Sequence, residues 1–301
     1  MYNIRYIKLN FTIKIKENGH LPEFKNSTFR GGMGRMLMEF FCLNDGECSE
    51  CNTVENCMVK KVMYSKLKKK PNFIANDNSV GYIIECFDKR TEYKKNDIFK
   101  FNLILFGDTI NYISHFIYAF DVLGLNGIGK YYIHYEILNV CDDEGNLIFA
   151  DGNINKKNIK VKYVREYIEN RKKSLINRPQ IFLNFISPFR YKFQGHLKAD
   201  INIQDLILAL NRRINILYAY EGIDLESNVQ SLNIEMLGKN LYWKENARYS
   251  EHQNQKMKLG GVEGTINLNV EDEEFINLLL AGELLHIGKN TSFGLGKYLI
   301  N

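Results

Sequence analysis

The chain has 301 residues, 45% of them hydrophobic and 25% charged, which fits a soluble globular protein of one large or two ordinary domains. Its formal charge of +5 permits a polyanionic partner but does not argue for nucleic acid. No apolar run is long enough to cross a bilayer, and the opening segment Tyr2–Ile7 has a strand pattern where a signal peptide would be apolar. A cytoplasmic protein with no membrane partner is therefore expected.

Residues 2–15 alternate as a strand, with Ile4, Tyr6, Leu9, Phe11 and Ile13 apolar. Ser27 or Thr28 can cap a helix over about 29–41, where Met33, Leu37 and Phe40 recur at helical spacing. Three glycines, Gly31, Gly32 and Gly34, weaken that helix by roughly 1 kcal/mol each against alanine, a cost explained by a close backbone, by RNA or by tight helix packing. Strands follow at 82–86 and 98–106, then a helix marked by Ile110, Ile113, Phe116, Ile117 and Phe120. Gly124 to Gly129 are expected to stop it, and 131–140 returns as a strand.

Residues 151–179 carry nine Lys or Arg against three acidic residues and read as a linker with some helix. The second half repeats the order: a strand at 181–187, a helix lined by Leu206, Ile207, Leu210, Ile214 and Leu217, and a strand at 266–270. A helix over 275–285 behind the acidic turn 271–274 and a last strand through Leu299 and Ile300 complete it. Strand–helix–strand–strand–helix–strand is the ferredoxin-like order. The expected architecture is α+β, two such domains in tandem, at 1–150 and 180–301. A tandem duplication is also suggested by Gly127-Ile128-Gly129-Lys130-Tyr131 and Gly294-Leu295-Gly296-Lys297-Tyr298, each between a helix and a strand pattern.

Four cysteines fall within sixteen residues, Cys42, Cys48, Cys51 and Cys57, at gaps of five, two and five. In a reducing compartment that clustering points to thiolate ligation, so a closed, structural four-sulfur zinc site is expected in the loop 42–57. Free thiols on a polar loop are the alternative. Gly124 to Lys130 have Walker A spacing, but Tyr131 replaces the magnesium-binding hydroxyl and the helix precedes the loop, so an NTPase is not expected.

Several segments together resemble one family: Phe29-Arg30-Gly31-Gly32-Met33-Gly34-Arg35 ahead of the cysteines, Ile186-Ser187-Pro188-Phe189-Arg190, Arg248-Tyr249-Ser250 leading to Lys256-Met257-Lys258-Leu259-Gly260-Gly261, and the terminal glycine-rich loop 286–298. The family is the CRISPR-associated endoribonucleases of the RAMP superfamily, which process precursor CRISPR RNA. The resemblance implies paired ferredoxin-like folds and metal-independent cutting of CRISPR repeat RNA, leaving a 2′,3′-cyclic phosphate and a 5′-hydroxyl. Other CRISPR-associated proteins are implied partners. Such cleavage needs a base, charge stabilisation at phosphorus and an acid, and no catalytic metal is expected.

In relatives of this family a catalytic histidine lies near the first helix, whereas residues 21–60 contain none and only His20 precedes that helix. His286 matches the histidine that leads into the glycine loop, and Lys289 follows it. With Tyr249 they form the catalytic expectation, the alternative for His286 being a ring that caps its helix. His196 and His252 come next; His115 and His134 sit in helix and strand patterns and read as structural. Arg248, Lys256 and Lys258 form a basic hairpin suited to RNA phosphates, joined by Gly288, Thr291, Gly294, Gly296 and Lys297 of the glycine loop. Tyr242, Trp243 and Tyr249 could stack on unpaired bases. Valine at Gly294 and Gly296 is expected to abolish RNA binding with the fold largely intact. A non-catalytic RNA-binding RAMP subunit is the alternative function.

Overall fold

The structure, a computed structural model, describes residues 1–301 apart from 75–78, 176–179, 231–233 and 251–254 and the side chains of 247–250 and 255–257. It separates into an N-terminal unit, residues 6–66 and 76–161, and a C-terminal unit, residues 1–5, 67–75 and 162–301. Among the described residues no helix is long and apolar enough to cross a membrane.

The N-terminal unit runs β1 (Arg5–Ile15), β2 (Gly19–His20), α1 (Asn26–Phe41), α2 (Met58–Met63), β3 (Tyr82–Glu85), β4 (Glu92–Tyr93), β5 (Ile98–Phe106), α3 (Ile113–Asn126), β6 (Tyr135–Cys141), β7 (Leu147–Ala150) and β8 (Asn153–Ile154). Its sheet has the order β3-β5-β1-β6-β7-β8, with β1 antiparallel to both β5 and β6. The alternation of β1 sends Leu9, Phe11, Ile13 and Ile15 into the core. There Phe11 stacks on Phe101 of β5 at 4.6 Å, Phe29 of α1 on Phe101 at 4.4 Å, and Phe120 of α3 meets Phe11 edge-on at 5.1 Å. Each such pair contributes about 0.5–1.5 kcal/mol beyond the area it buries.

The first helix starts at Asn26, ahead of Ser27 and Thr28, and neither hydroxyl caps it. Helix packing accounts for two of its glycines. A Cβ on Gly32 would come within 2.6 Å of Leu123 of α3, and one on Gly34 within 2.9 Å of Met63 of α2. Helix α3 ends at Asn126 with Gly127 at its C-cap, inside the stretch expected to stop it, and β6 begins at Tyr135 because residues 129–134 form a loop.

The zinc expectation finds no support. Among the described residues no group of three or more His, Cys, Asp or Glu is placed to hold a metal ion. Cys42, Cys48, Cys51 and Cys57 are free thiols with other partners nearby: Cys42 Sγ accepts the Gly46 N–H at 3.3 Å, and Cys51 Sγ lies 3.3 Å from Thr53 Oγ1.

The C-terminal unit contains β9 (Lys162–Tyr163), α4 (Val164–Lys172), β10 (Gln180–Phe189), β11 (Lys192–Phe193), β12 (His196–Leu197), α5 (Ile203–Glu221), β13 (Ile234–Lys244), β14 (Ala247–Ser250), β15 (Gln255–Lys258), β16 (Gly261–Val270), α6 (Glu273–Leu285) and β17 (Tyr298–Ile300). The main sheet is β13-β16-β10-β17, so both units carry the ferredoxin-like strand order and the fold is a tandem of the two. A capping box, Asn202 with Asp205, starts α5, and Asp272 accepts the Phe275 N–H at 2.8 Å to start α6.

Helix α4 lies inside 151–179, the span expected as a linker, and it holds the centre of this unit. Glu283 of α6, 2% exposed, accepts Arg171 at 2.8 and 2.9 Å, the Tyr167 hydroxyl at 2.9 Å and the Ile300 N–H of β17 at 2.9 Å. Burial pushes its carboxyl up, but the Arg171 bonds and the Ile300 N–H outweigh burial and leave it below the ordinary carboxylate range. Glu283→Gln should therefore lower stability at pH 7 by on the order of 2 kcal/mol. The wild-type advantage is complete above the unfolded carboxyl range, near pH 4, and is lost as the pH falls from there through the lower folded-state value. Denaturant titrations of both proteins at pH 7 and pH 3 would show the gap closing.

Candidate nucleic-acid interface

Helix α6 ends at Leu285, whose carbonyl accepts Arg213 Nε from α5 at 2.9 Å. Burial pushes the Arg213 guanidinium down to about 10, so it remains a cation at neutral pH and suits the negative end of the helix. His286 then leaves the helix at φ +57, and the chain enters the glycine loop.

That loop folds onto its own unit. The Ile287 N–H donates to Gly296 O at 3.0 Å, Gly296 N–H to Pro188 O at 3.0 Å, and Lys289 N–H to Arg190 O at 2.8 Å. Ser187 closes it from below, its hydroxyl donating to Gly294 O at 2.7 Å and accepting the Lys297 N–H at 2.9 Å. Glycine is required at Gly296, where a Cβ would stand 1.8 Å from Ile287 O, and at Gly288, where it would stand 2.5 Å from Arg190 O. Backbone, not an anion, fills the space that these two glycines open. Valine at Gly296 would displace the loop itself, so the expected separation of RNA binding from folding does not hold there.

Two expected site residues, His286 and Lys297, change meaning with this packing. His286 is fully buried, its Nδ1 3.1 Å from Leu295 O, so the ring is out of reach of a substrate and ties the two ends of the loop together. Lys297 is buried as well and its Nζ donates to Glu283 O at 2.7 Å, which removes it from phosphate contact. Gly294 is buried at φ +70, and Thr291 is half-buried. Lys289, by contrast, is exposed at the turn.

Arg190 gathers the remaining basic segments. Besides accepting the Lys289 N–H, it donates from Nη1 to Gly260 O at 2.6 Å, at the root of the ribbon that β14 and β15 form. In that ribbon Arg248 pairs with Met257 and Tyr249 with Lys256. The side chains of Arg248, Tyr249 and Lys256, and His252 entirely, lie outside the described residues. Lys258 is exposed. On the other side of Arg190 the hairpin β11–β12 turns through Gln194 and Gly195, both at positive φ (+45 and +86), as a two-residue hairpin loop demands. Phe193 and His196 face each other across it, and both are exposed, as is Lys192. Exposed lysines beside an exposed aromatic ring suit a single-stranded polyanion. Sequence reasoning met Arg190 only within a family-like segment and passed over Lys192 and Phe193; the available signal was a turn pair, Gln194-Gly195, next to alternating basic and aromatic residues.

Tyr242 and Trp243 are 55% and 41% exposed on β13, the sheet's edge strand, so neither is core. Tyr242 donates to Glu263 at 3.2 Å and Trp243 Nε1 to Glu245 at 3.2 Å.

Comparison with known proteins adds the family. The model AF_1859_N, an N-terminal domain, matches residues 4–161, and the model of the CRISPR-associated endoribonuclease Cas6 matches residues 183–298. A curated protein from Archaeoglobus fulgidus, described as uncharacterized, is 25% identical over 297 residues, 93% of each chain. Among solved structures, a chain of a partial Cas6-RT-Cas1–Cas2 complex superposes with a TM-score of 0.59 at 15% identity over 99% of this chain. This chain spans only 46% of that one, and 29% of the corresponding chain in a second Cas6-RT-Cas1–Cas2 complex. A Cas6 product complex gives 0.53 at 12% identity, covering 98% of this chain and 99% of its own. Thermus thermophilus Cas6 gives 0.50 at 12% identity, covering 99% of each. At such identities these superpositions speak for the fold. The chain belongs to the AF_1859_N family, and its region 183–298 matches the model of the CRISPR-associated endoribonuclease Cas6.

Proposed function

We propose that the chain processes precursor crRNA: it binds CRISPR repeat RNA and cuts it by attack of a 2′-hydroxyl, without a metal ion, leaving a 2′,3′-cyclic phosphate and a 5′-hydroxyl. One observation carries this reading. The segment that matches the Cas6 endoribonuclease is the one in which glycine loop, hairpin and ribbon converge on Arg190. Lys289, Lys258 and Lys192 would meet phosphates there, with Phe193 offering a stacking surface. Lys289 would also offset charge that develops at phosphorus, and Tyr249 is the proposed proton donor from the ribbon. His286 would serve the same chemistry indirectly, by fixing the loop that presents Lys289. Other CRISPR-associated proteins are proposed partners, because two of the superposed chains belong to complexes with Cas1 and Cas2.

The burial of His286 favours a second reading, a non-catalytic RNA-binding subunit, since the histidine expected to move a proton cannot reach RNA. Incubating the protein with labelled repeat RNA in EDTA separates the two. Processing predicts a single cut that one 2′-deoxy substitution abolishes, whereas tight binding with no cut supports the subunit.

Replacing Lys289 with alanine should weaken repeat-RNA affinity about threefold to tenfold and flatten the salt dependence by about 0.7 in log–log slope. Its melting temperature should not move, because the side chain is exposed; filter binding across a salt series reads both effects. His286→Ala should instead destabilise the protein by about 1–3 kcal/mol, as expected when a buried hydrogen-bonding ring is lost. Denaturant titration measures that loss, and cleavage per folded molecule should fall no further than it does for Lys289→Ala.

A further inference from the structure

The open face of the C-terminal sheet carries one aromatic ring among amides. Its other face is buried, with Ile181, Leu183 and Phe185 of β10 beside Ile266, Leu268 and Val270 of β16. Alternation sends Phe182 and Asn184 of β10, and Thr265, Asn267 and Asn269 of β16, the opposite way. These are the two inner strands of the β13-β16-β10-β17 sheet, so Phe182, 42% exposed, is no edge residue like Tyr242 and Trp243. Leaving a phenyl ring so far in water forfeits part of the about 1.5–3 kcal/mol that its burial would contribute.

Register fixes what surrounds that ring. Asn267 stands directly opposite Phe182, with Thr265 and Asn269 on its two diagonals. Opposite side chains in a sheet start about 5 Å apart and diagonal ones about 7–8 Å, so all three lie within reach of one flat group stacked on Phe182. Leu299 of β17, opposite Asn184, continues the apolar floor at 38% exposure. An amide offers a donor and an acceptor together, as the edge of a nucleobase requires. Asn267 Oδ1 has no hydrogen-bond partner among the described residues, so that amide is free to turn to a ligand. A protein-docking patch would be contiguous and apolar, whereas this ring is fenced by amides and a hydroxyl. Charge adds a direction. Glu235 stands opposite Asn269 at one end, while β10 runs the other way from Phe182 for roughly 23 Å to Phe189, next to Arg190.

Resting on the RNA-binding part of the reading above, we propose that Phe182 is a stacking platform for an unpaired nucleotide of the same RNA, whose base edge is met by Asn267, Thr265 and Asn269. A four-stranded antiparallel sheet that presents an aromatic ring on its open face is the surface on which RNA-recognition domains splay single-stranded bases. The nucleotide belongs to a segment that leaves the Arg190 interface along β10, toward the end of the sheet where the Glu235 carboxylate repels phosphate. It is held by stacking and hydrogen bonds, not by phosphate charge. The site therefore selects for unpaired RNA and takes no part in the cut.

The test measures affinity for repeat RNA with a 2′-deoxy at the cut, across a salt series, for wild type, Phe182→Ile and Asn267→Ala. Phe182→Ile keeps an apolar, strand-forming side chain and removes only the ring. It should weaken binding about fivefold to a hundredfold, as one lost base stack does, and leave the salt slope unchanged. Asn267→Ala should cost a smaller part, also independent of salt. With RNAs trimmed stepwise from either end, the difference between wild type and Phe182→Ile should vanish at one trim, which identifies the nucleotide. In a Trp243→Phe background, which leaves no other tryptophan, the fluorescence of Phe182→Trp should be quenched by the RNA. Should Phe182→Ile fail to fold, this quenching and Asn267→Ala decide. Equal affinity of wild type and Phe182→Ile, with no quenching in Phe182→Trp, would overturn the proposal. So would intact RNA affinity with lost self-association in Phe182→Ile, which assigns the face to a second copy of the chain. Wild-type protein that binds repeat RNA without cutting it leaves the platform standing, whereas wild type that does not bind it removes the RNA reading and the platform together.

Discussion

The C-terminal unit depends on one buried carboxylate. Glu283 sits on the inner side of α6, where four protein groups reach it, from α4 and β17. A buried charge is tolerable only when its lone pairs are met, and here two Arg171 nitrogens, a phenol and a backbone N–H meet them. The residue's own backbone carbonyl receives the Lys297 ammonium, so the same position anchors the last residues of the glycine loop. Helix, terminal strand and loop are thus fixed through a single side chain and its peptide group.

From that anchor the glycine loop is built inward. Its glycines make room for other parts of the same unit, and His286 and Lys297 satisfy carbonyls that the tight path would otherwise strand. What it offers outward is Lys289 and a firm seat for Arg190. Arg190 in turn places the hairpin and the ribbon from a half-buried position, where burial holds its guanidinium below the usual range despite the nearby Glu245.

Both ferredoxin-like halves were legible because their strands alternate and their helices carry apolar residues at helical spacing. Burial on one face writes itself into the sequence in that way. The edge strand β13 was not, because both its faces are largely exposed and Leu237, Lys239, Tyr242 and Trp243 show no alternation. Helix α4 was legible only as some helix in a linker, and charge hid its role: in Val164–Lys172 only Val164 and Ile168 are buried, and Arg171 works through a hydrogen-bonded partner more than a hundred residues away. The glycine loop was recognisable as a motif, but the burial of His286 and Lys297 is a tertiary fact that no local pattern records.

The two Gly-x-Gly-Lys-Tyr segments now carry unequal loads. In the terminal copy the lysine and tyrosine are both buried, whereas in the earlier copy Lys130 and Tyr131 are both exposed. A copy that serves as a keystone has little freedom to drift, because most replacements collide with backbone. Its twin, held by Gly19 and the Ile128–Ile133 bridge, can exchange its outward side chains without disturbing the sheet below. Duplication of a structural loop would in this way leave one copy bound to architecture and the other open to adaptation, so that divergence among relatives should gather at 130–132 and spare 294–298.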